Sequence, residues 1–313
     1  MLLYVFRRIL SAIPVMLFVA LFVFGLLDLA PGDPAALLAG ENASPEDIEK
    51  IRQSLGLNKP FLFRFGEWLW HLLHGDLGTS LFTSQPVTQM IGERLAPTFT
   101  LMIMTIVISV IIAIPAGAWA AWRHNRWNDR VIMLCAVFSF SLPSFVVGYL
   151  LAWIFGLKLH WLPVQGYAGL DQGLWTSIRS LILPAFALGS VYIGLIARFT
   201  RSTLVETLQQ DYIRTARAKG VSNTRILFRH GLKNAAVPIV TVVGSGVALL
   251  ISGTVVTETV FAIPGLGRLT VDAILRRDYP IIQGVILLFS FLYVLVNLAV
   301  DLLYTVFDPR IKY

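Results

Sequence analysis

Few residues in this sequence could perform catalysis or hold a metal ion. Its 313 residues include one cysteine, Cys135, which lies inside an apolar block. The five histidines all lie outside the apolar blocks. A lone cysteine forms no intrachain disulfide, and a Ser–His or zinc enzyme embedded in a membrane would need intramembrane histidine. His71 and His74 have the i, i+3 spacing of a metal pair, but no Cys/His cluster accompanies them, so interfacial histidines are the favoured interpretation. We predict no catalytic, cofactor or metal site in this chain.

Carboxylates in apolar segments would indicate an ion-coupled carrier. Asp28 lies at the end of the first apolar block, and Asp301 shares a helical face with Asn297 and Tyr304. Asp301 is within two turns of the end of its block, where it could pair with a loop arginine. No internal repeat of the kind common in carriers is evident. An ion-coupled carrier or channel is therefore the less favoured alternative.

No Gly-Lys dipeptide occurs in the sequence. The phosphate-binding loop G-x-x-x-x-G-K-[ST] is therefore absent. If ATP drives this protein, another polypeptide hydrolyses it.

The most informative polar stretch is 198–234, and its centre is 211–222. Residues at four-residue spacing predict one helical face; they are Leu204, Leu208, Tyr212 and Ala216. Lys219 suits the last turn of a helix, and Gly220 suits the left-handed position that follows it. Ser222 is a candidate N-cap for the next helix. The pattern predicts a helix, a glycine turn and a second helix; a solvated loop between two spans is the alternative.

Composition places this stretch in a membrane protein. Hydrophobic residues make up 56% of the chain, charged residues 14%, and the mean hydropathy is +0.73. Since about 20 apolar residues cross a bilayer as a helix, we predict six spans. They are 9–27, 98–122, 131–156 with Pro143 inside it, 181–197, 235–256 and 284–306.

The distribution of basic residues predicts that both termini and the 198–234 loop are cytoplasmic. Fifteen of the 25 Lys and Arg residues fall in the segments that this orientation places inside, and every short inner loop is basic. The formal charge of +7 therefore needs no nucleic acid to explain it.

The segment 30–96 is polar enough to lie outside the membrane yet patterned enough to fold. Ser44-Pro45-Glu46-Asp47 has an N-cap serine, proline at the first position and acids in the first turn, which predicts a helix ended by Gly56. Residues 60–74 mix aromatic and charged side chains, which is typical of a helix on the membrane surface.

These motifs match a known family. Residues 211–234 resemble the EAA coupling loop of binding-protein-dependent ABC importer permeases, in the form found in the dipeptide/oligopeptide/nickel family. Arg214 stands where the general motif has glutamate. The resemblance extends along the chain through Pro31-Gly-Asp-Pro34, Leu55-Gly-Leu-Asn-Lys-Pro60, Gly75-Asp-Leu-Gly-Thr-Ser80, Pro264-Gly-Leu-Gly267, Arg277-Asp-Tyr-Pro280 and Asn297…Asp301…Tyr304.

The resemblance implies an all-α protein with six transmembrane helices, the type I ABC importer permease fold. It would lie in the bacterial cytoplasmic membrane in contact with lipid and import dipeptides, oligopeptides or glutathione; nickel or metal complexes and opines are alternatives within the family. Implied partners are a second homologous permease, two ATPase subunits that bind ATP and Mg, and an extracytoplasmic binding protein.

The resemblance also implies site residues and a division of the chain. The ATPase would dock on Asp211, Tyr212, Arg214, Thr215, Ala216, Arg217, Lys219, Gly220 and Ser222. The turn Pro264, Gly265, Leu266, Gly267 would face the binding protein or merely cover the bundle. The expected segments are 1–29 with the first span, an extracytoplasmic region 30–96, and a five-helix core 97–313 that includes the loop 198–234.

Overall fold

The computed structural model describes residues 2–29, 34–39, 44–54 and 56–307, and these residues are almost entirely helical. Within them the only β pairing is an isolated bridge between Thr79 and Pro86. Three predicted features lie wholly or partly outside the described residues: the turn at 31–34, Leu55 and the tail 308–313. The architecture is therefore all-α, as expected from the sequence.

The described helices are joined by connections of different lengths, the longest of which precede α5 and α8. In chain order they are α1 Leu2–Leu29, α2 Pro34–Ala39, α3 Pro45–Ser54, α4 Phe61–Leu73, α5 Val87–Trp122, α6 Trp127–Ser141, α7 Ser144–Leu151, α8 Leu174–Leu208, α9 Asp211–Ala218, α10 Asn223–Arg225, α11 Lys233–Val260, α12 Leu266–Arg276 and α13 Tyr279–Phe307. π-Helical turns follow α7 (Ala152–Lys158) and α10 (Ile226–Leu232), and a 3₁₀ turn at Leu170–Gln172 precedes α8.

Five helices among the described residues are long and apolar enough to cross a membrane. They are Phe6–Leu26, Val87–Trp122, Leu174–Leu208, Asn223–Val260 and Tyr279–Leu302. The helices are longer than the apolar blocks that predicted them: α5 starts well before residue 98, and α8 extends beyond its block at both ends. Hydropathy marks the part of a helix that suits lipid, whereas hydrogen bonding carries the helix on into the polar flanks.

The sixth span is a bent pair. The helix Trp127–Ser141 and the segment Ser144–Lys158 pass the same test together but meet at an angle of 103°. Pro143 lacks a backbone N–H, and Leu142 before it has the extended backbone that a following proline favours (φ −86°, ψ 129°). The predicted span 131–156 is thus broken at Pro143, and the described residues contain six candidate spans when the pair is counted as one.

The chain packs as two compact units, of which the first comprises residues 1–95 and 269–294. Its aromatic cluster joins α1 to α4, since the Phe24 ring lies 5.2 to 5.5 Å from those of Phe61, Phe65 and Trp68. The backbone N–H of Asp47 donates to Ser44 Oγ at 3.2 Å, which confirms the predicted cap of α3.

The second unit comprises residues 96–268 and 295–313 and is built around α8. Neighbouring helices approach α8 closely at glycines. A Cβ at Gly117 of α5 would lie 2.5 Å from the carbonyl oxygen of Ala197, and one at Gly194 would lie 2.5 Å from that of Ala136 in α6. The buried ring of Tyr192 in α8 packs against Gly246 of α11, where a side chain would overlap the ring. Small residues let helices in lipid pack this closely.

The three segments expected from the sequence describe membrane topology rather than packing, and that division stays a prediction.

Candidate functional site

α9 is a short, polar helix immediately after α8. It begins at Asp211, an acid in the first turn where the helix dipole favours negative charge. Arg214 reaches back to the Asp211 carboxylate at 3.2 Å, and Thr215 Oγ1 donates to the Asp211 carbonyl at 3.1 Å. Both contacts are exposed, so they contribute at most a few tenths of a kcal/mol each. An eight-residue helix held only by such contacts is marginal in water.

The far end of α9 has the hydrogen bonds of a Schellman cap. The N–H of Gly220 donates to the Arg217 carbonyl at 3.0 Å, and the N–H of Val221 donates to the Ala216 carbonyl at 3.1 Å. Gly220 has φ +74°, the left-handed conformation that this cap requires. The predicted helix and glycine turn are therefore present, with Lys219 in the C-cap position rather than inside the helix.

One side chain anchors α9 to the rest of the unit. Ile213 is fully buried, and it is the only buried residue of this helix. Full burial of an isoleucine side chain contributes about 1.5–3 kcal/mol, which exceeds the exposed polar contacts of α9 combined. The four-residue spacing in the sequence does not predict that Ile213 is buried, because it places Tyr212 on the buried face instead.

The four-residue spacing from Leu204 to Ala216 does not describe one helical face. α8 ends at Leu208 and α9 begins at Asp211, so the two intervening glutamines separate the pattern into two helices. Leu204 is fully buried, whereas Tyr212 is 43% exposed. The prediction of a single continuous face was therefore wrong. The break between α8 and α9 contains neither glycine nor proline, so the sequence gives no sign of it.

The exposed surface of α9 and its turn consists mainly of charged side chains and includes one aromatic ring, that of Tyr212. Most of the predicted docking residues lie on it: Asp211, Tyr212, Arg214, Thr215, Arg217, Lys219, Gly220 and Ser222 are exposed, and Ala216 is half-buried. Three cations against one acid make this surface basic.

A second basic row continues the surface along the start of the next helix. Arg225, Arg229 and Lys233 recur every fourth residue and are all exposed, and Phe228 among them is 61% exposed. Ser222 occupies the N-cap position with extended backbone but makes no side-chain capping bond. The structure thus adds Phe228 to the candidate surface; an aromatic residue inside a basic stretch was the available signal.

The ends of α8 and α11 that flank α9 in the sequence pack tightly together with the end of α5. Leu204 of α8, Ala235 and Ile239 of α11, and Ala118 and Ala121 of α5 form one buried apolar cluster. The π-helical turn joins it at Gly231, where a Cβ would lie 2.9 Å from Leu204 Cδ1.

The turn at Pro264–Gly267 is organised by a buried carboxylate. Glu258 of α11 is fully buried; its Oε1 accepts from Thr98 Oγ1 at 2.6 Å and its Oε2 from the Arg268 N–H at 3.0 Å. The Leu266 N–H donates in turn to Thr98 Oγ1 at 2.8 Å. A Cβ at Gly265 would overlap a Glu258 carboxylate oxygen, and one at Gly267 would lie 2.6 Å from the Val255 backbone, so neither glycine can carry a side chain. Of the four predicted turn residues only Pro264 is exposed.

The two histidines with metal-like spacing point to different partners. His71 Nδ1 lies 3.5 Å from the Asp76 carboxylate, and His74 Nδ1 lies 2.8 Å from the Trp70 carbonyl oxygen. Within the described part of the chain, no three His, Cys, Asp or Glu side chains are grouped to hold a metal ion.

Family comparison explains the combination of spanning helices and an exposed polar helix. Residues 113–313 match the model of the binding-protein-dependent transport system inner membrane component, and residues 1–104 match the model of its N-terminal part. The chain belongs to this family, and it is a multi-pass protein of the inner membrane.

Individual relatives match over nearly their full length. The chain is 49% identical over 310 residues to a probable peptide ABC transporter permease protein, y4tP, of Sinorhizobium fredii, covering 99% of each chain. It is 48% identical over 311 residues to a putative peptide transport system permease of Brucella abortus, covering 99% of this chain and 98% of the other. It is 45% identical over 313 residues to the glutathione transport system permease protein GsiC of Salmonella choleraesuis, covering all of both.

Among solved structures, a chain of the inward-facing MetNI methionine ABC transporter superposes with a TM-score of 0.61 at 16% identity. The match covers 72% of this chain and 100% of the other. At this identity the likeness establishes the fold, that of an ABC importer permease.

Proposed function

We propose that this chain is the permease subunit through which an ABC importer takes up small peptides, glutathione included. The observation that carries the proposal is the 45–49% identity, over the full length, to permeases named for peptide and glutathione transport. The peptide backbone and two terminal charges are the chemistry these substrates share.

α9 with its Gly220 turn is the proposed docking site for a separate ATPase subunit. A short helix that presents cations and an aromatic ring, on a support of packed helix ends, has the composition of a protein-binding surface. The complete assembly would contain this chain, a second homologous permease, two ATPase subunits that bind ATP and Mg, and an extracytoplasmic binding protein. This chain would supply no ATPase site of its own.

The proposed orientation follows from charge. α9 and both termini would be cytoplasmic, because the basic residues concentrate in these segments. Segment 30–96 and the Pro264–Gly267 turn would then lie on the opposite side, where the binding protein delivers its substrate. Pro264, the exposed member of that turn, would be the one able to touch this protein.

Reconstitution tests this function. The two permeases and the ATPase subunits would be placed in liposomes, with binding protein and ATP on their respective sides, and uptake of a radiolabelled dipeptide and of glutathione measured. We expect ATP-dependent uptake of at least one peptide, abolished when the ATPase subunits are omitted. Uptake without ATPase subunits, driven by an ion gradient, would refute the proposal in favour of a carrier. ATP-dependent uptake restricted to a nickel complex would refute the peptide assignment alone.

A further inference from the structure

An ion pair between the buried Asp129 and the partly exposed Arg201 joins α6 to α8, ten residues before α9 begins. Arg201 of α8 donates to both oxygens of Asp129 in α6, from Nε at 3.0 Å and from Nη2 at 2.8 Å. The Asp129 side chain is 4% exposed. The same carboxylate accepts the Asn125 N–H at 2.9 Å, and Arg201 Nη2 lies 3.0 Å from His124 Nδ1. A two-pronged arginine–carboxylate contact fixes orientation as well as distance.

A second contact on the same two helices makes the attachment rigid. Gly194 of α8 packs against the backbone carbonyl of Ala136 in α6, with no room for a Cβ. Gly194 precedes Arg201 by seven residues, and Ala136 follows Asp129 by seven, so the helices run antiparallel with contacts two turns apart on each. Two fixed points two turns apart prevent both sliding and rotation of one helix against the other.

The ion pair also lies near the proposed site of force. Arg201 precedes the last residue of α8, Leu208, by seven residues, which is about 10 Å of helix. Two glutamines then lead directly into α9. A displacement of α9 therefore reaches Arg201 through two linking residues and about two turns of helix.

We propose that Asp129 and Arg201 are positioning residues for energy coupling, which lock α6 to α8 so that a movement of α9 carries both helices as one body. The inference rests on the proposed docking of an ATPase on α9. It assigns a role to the short basic connection between α5 and α6, since Asn125 and His124 hold the same carboxylate and guanidinium. It also identifies the place where the moving body ends: α6 ends at Ser141, and the 103° bend at Pro143 separates it from α7. Rigid-body shifts of this kind need a hinge with few hydrogen bonds, and a proline break supplies one.

The test compares transport with ATP hydrolysis in the complete importer. Arg201→Gln and Asp129→Asn would be introduced separately into the reconstituted complex, with Arg201→Lys as the conservative variant and Arg130→Gln as the matched control. Arg130 is the exposed neighbour of Asp129 on α6. For each variant, four quantities would be measured: the amount of assembled complex, the ATPase subunits retained by the purified permeases, ATP hydrolysis with and without binding protein, and peptide uptake.

We expect both neutral variants to retain the ATPase subunits and basal ATP hydrolysis. Peptide uptake per ATP hydrolysed should fall about tenfold, and stimulation by the binding protein should be lost. Arg201→Lys keeps the charge but not the two-pronged contact, so its peptide uptake per ATP hydrolysed should lie between those of the wild type and the neutral variants. Arg130→Gln should match the wild type.

A merely structural role has a different signature. It would lower uptake and hydrolysis together, in proportion to the amount of assembled complex, and the uptake per ATP would stay constant; that result would overturn the proposal. Unchanged uptake in both neutral variants would overturn it as well. If the wild-type permeases retained no ATPase subunit at all, the proposed function itself would fail, which is a distinguishable outcome.

Discussion

Substitution of Gly220 tests whether the left-handed turn after α9 is needed for docking. A Cβ at this position would meet no atom within 4 Å, so a substitution there changes backbone energy without creating a clash. At φ +74° an L-residue with a Cβ costs about 1–2 kcal/mol, and asparagine less than other residues. Proline cannot adopt this φ and would also lose the N–H that bonds to the Arg217 carbonyl, so its cost is about 3 kcal/mol or more.

These costs translate into docking affinity. The free permease relieves the strain by releasing α9 from its native turn, and docking must restore that turn. A difference of 1–2 kcal/mol corresponds to about 5- to 30-fold, which is the largest weakening expected for Gly220→Ala. The order of affinities should be glycine, asparagine, alanine, proline.

The assay is binding of a fluorescently labelled ATPase subunit to the permease pair in nanodiscs. Gly66→Ala is the matched control, because a Cβ at Gly66 is equally unobstructed but lies within helix α4. There alanine should stabilise the helix by about 0.5–1 kcal/mol and leave docking unchanged. If Gly220→Ala bound the ATPase as tightly as the wild type, or if Gly66→Ala weakened it equally, the turn would have no part in docking.

Three further substitutions test the packing around the site. Ile213→Ala should cost about 2–5 kcal/mol of local packing and raise amide hydrogen exchange in α9 alone. The control Thr215→Ala should leave exchange in α9 slow. Equal exchange rates in the two variants would show that Ile213 does not anchor the helix. Glu258→Ala leaves the buried Thr98 hydroxyl without its acceptor, at about 1–3 kcal/mol, and also removes the acceptor of the partly buried Arg268 N–H. It should lower the thermal midpoint well below that of Thr98→Val, and a smaller loss would argue against a carboxylate-centred turn. Gly194→Val should prevent close packing of α6 on α8 and reduce recovery of folded permease in detergent, whereas normal recovery would show that the backbones can separate.

Local chemistry made the polar helix and its turn predictable from sequence. A left-handed glycine after a short periodic segment specifies the cap of α9, and the residues that carry it are adjacent. The Ser44 cap succeeded for the same reason. The positions of the six spans followed from apolar length, although their ends did not, because helical hydrogen bonding continues past the apolar block.

Contacts between distant segments were beyond that reasoning. Glu258 and Thr98 are separated by 160 residues, and Asp129 and Arg201 by 72. The residues of each pair come together only when the helices pack, so neither pair forms a motif that is visible in the sequence. Burial of Ile213 was not predicted for a more local reason. The break between α8 and α9 changes which residues of α9 face the interior, and the sequence does not show this break.

The single anchor of α9 has an evolutionary consequence. Because Ile213 and the Gly220 turn hold this helix in place, its exposed side chains contribute little to folding. Exposed substitutions typically change stability by no more than about 0.5 kcal/mol. Under the proposed docking, the outward side of α9 is therefore free to diverge together with the ATPase subunit, so that duplicated importers in one cell would acquire separate ATPases without destabilising their permeases.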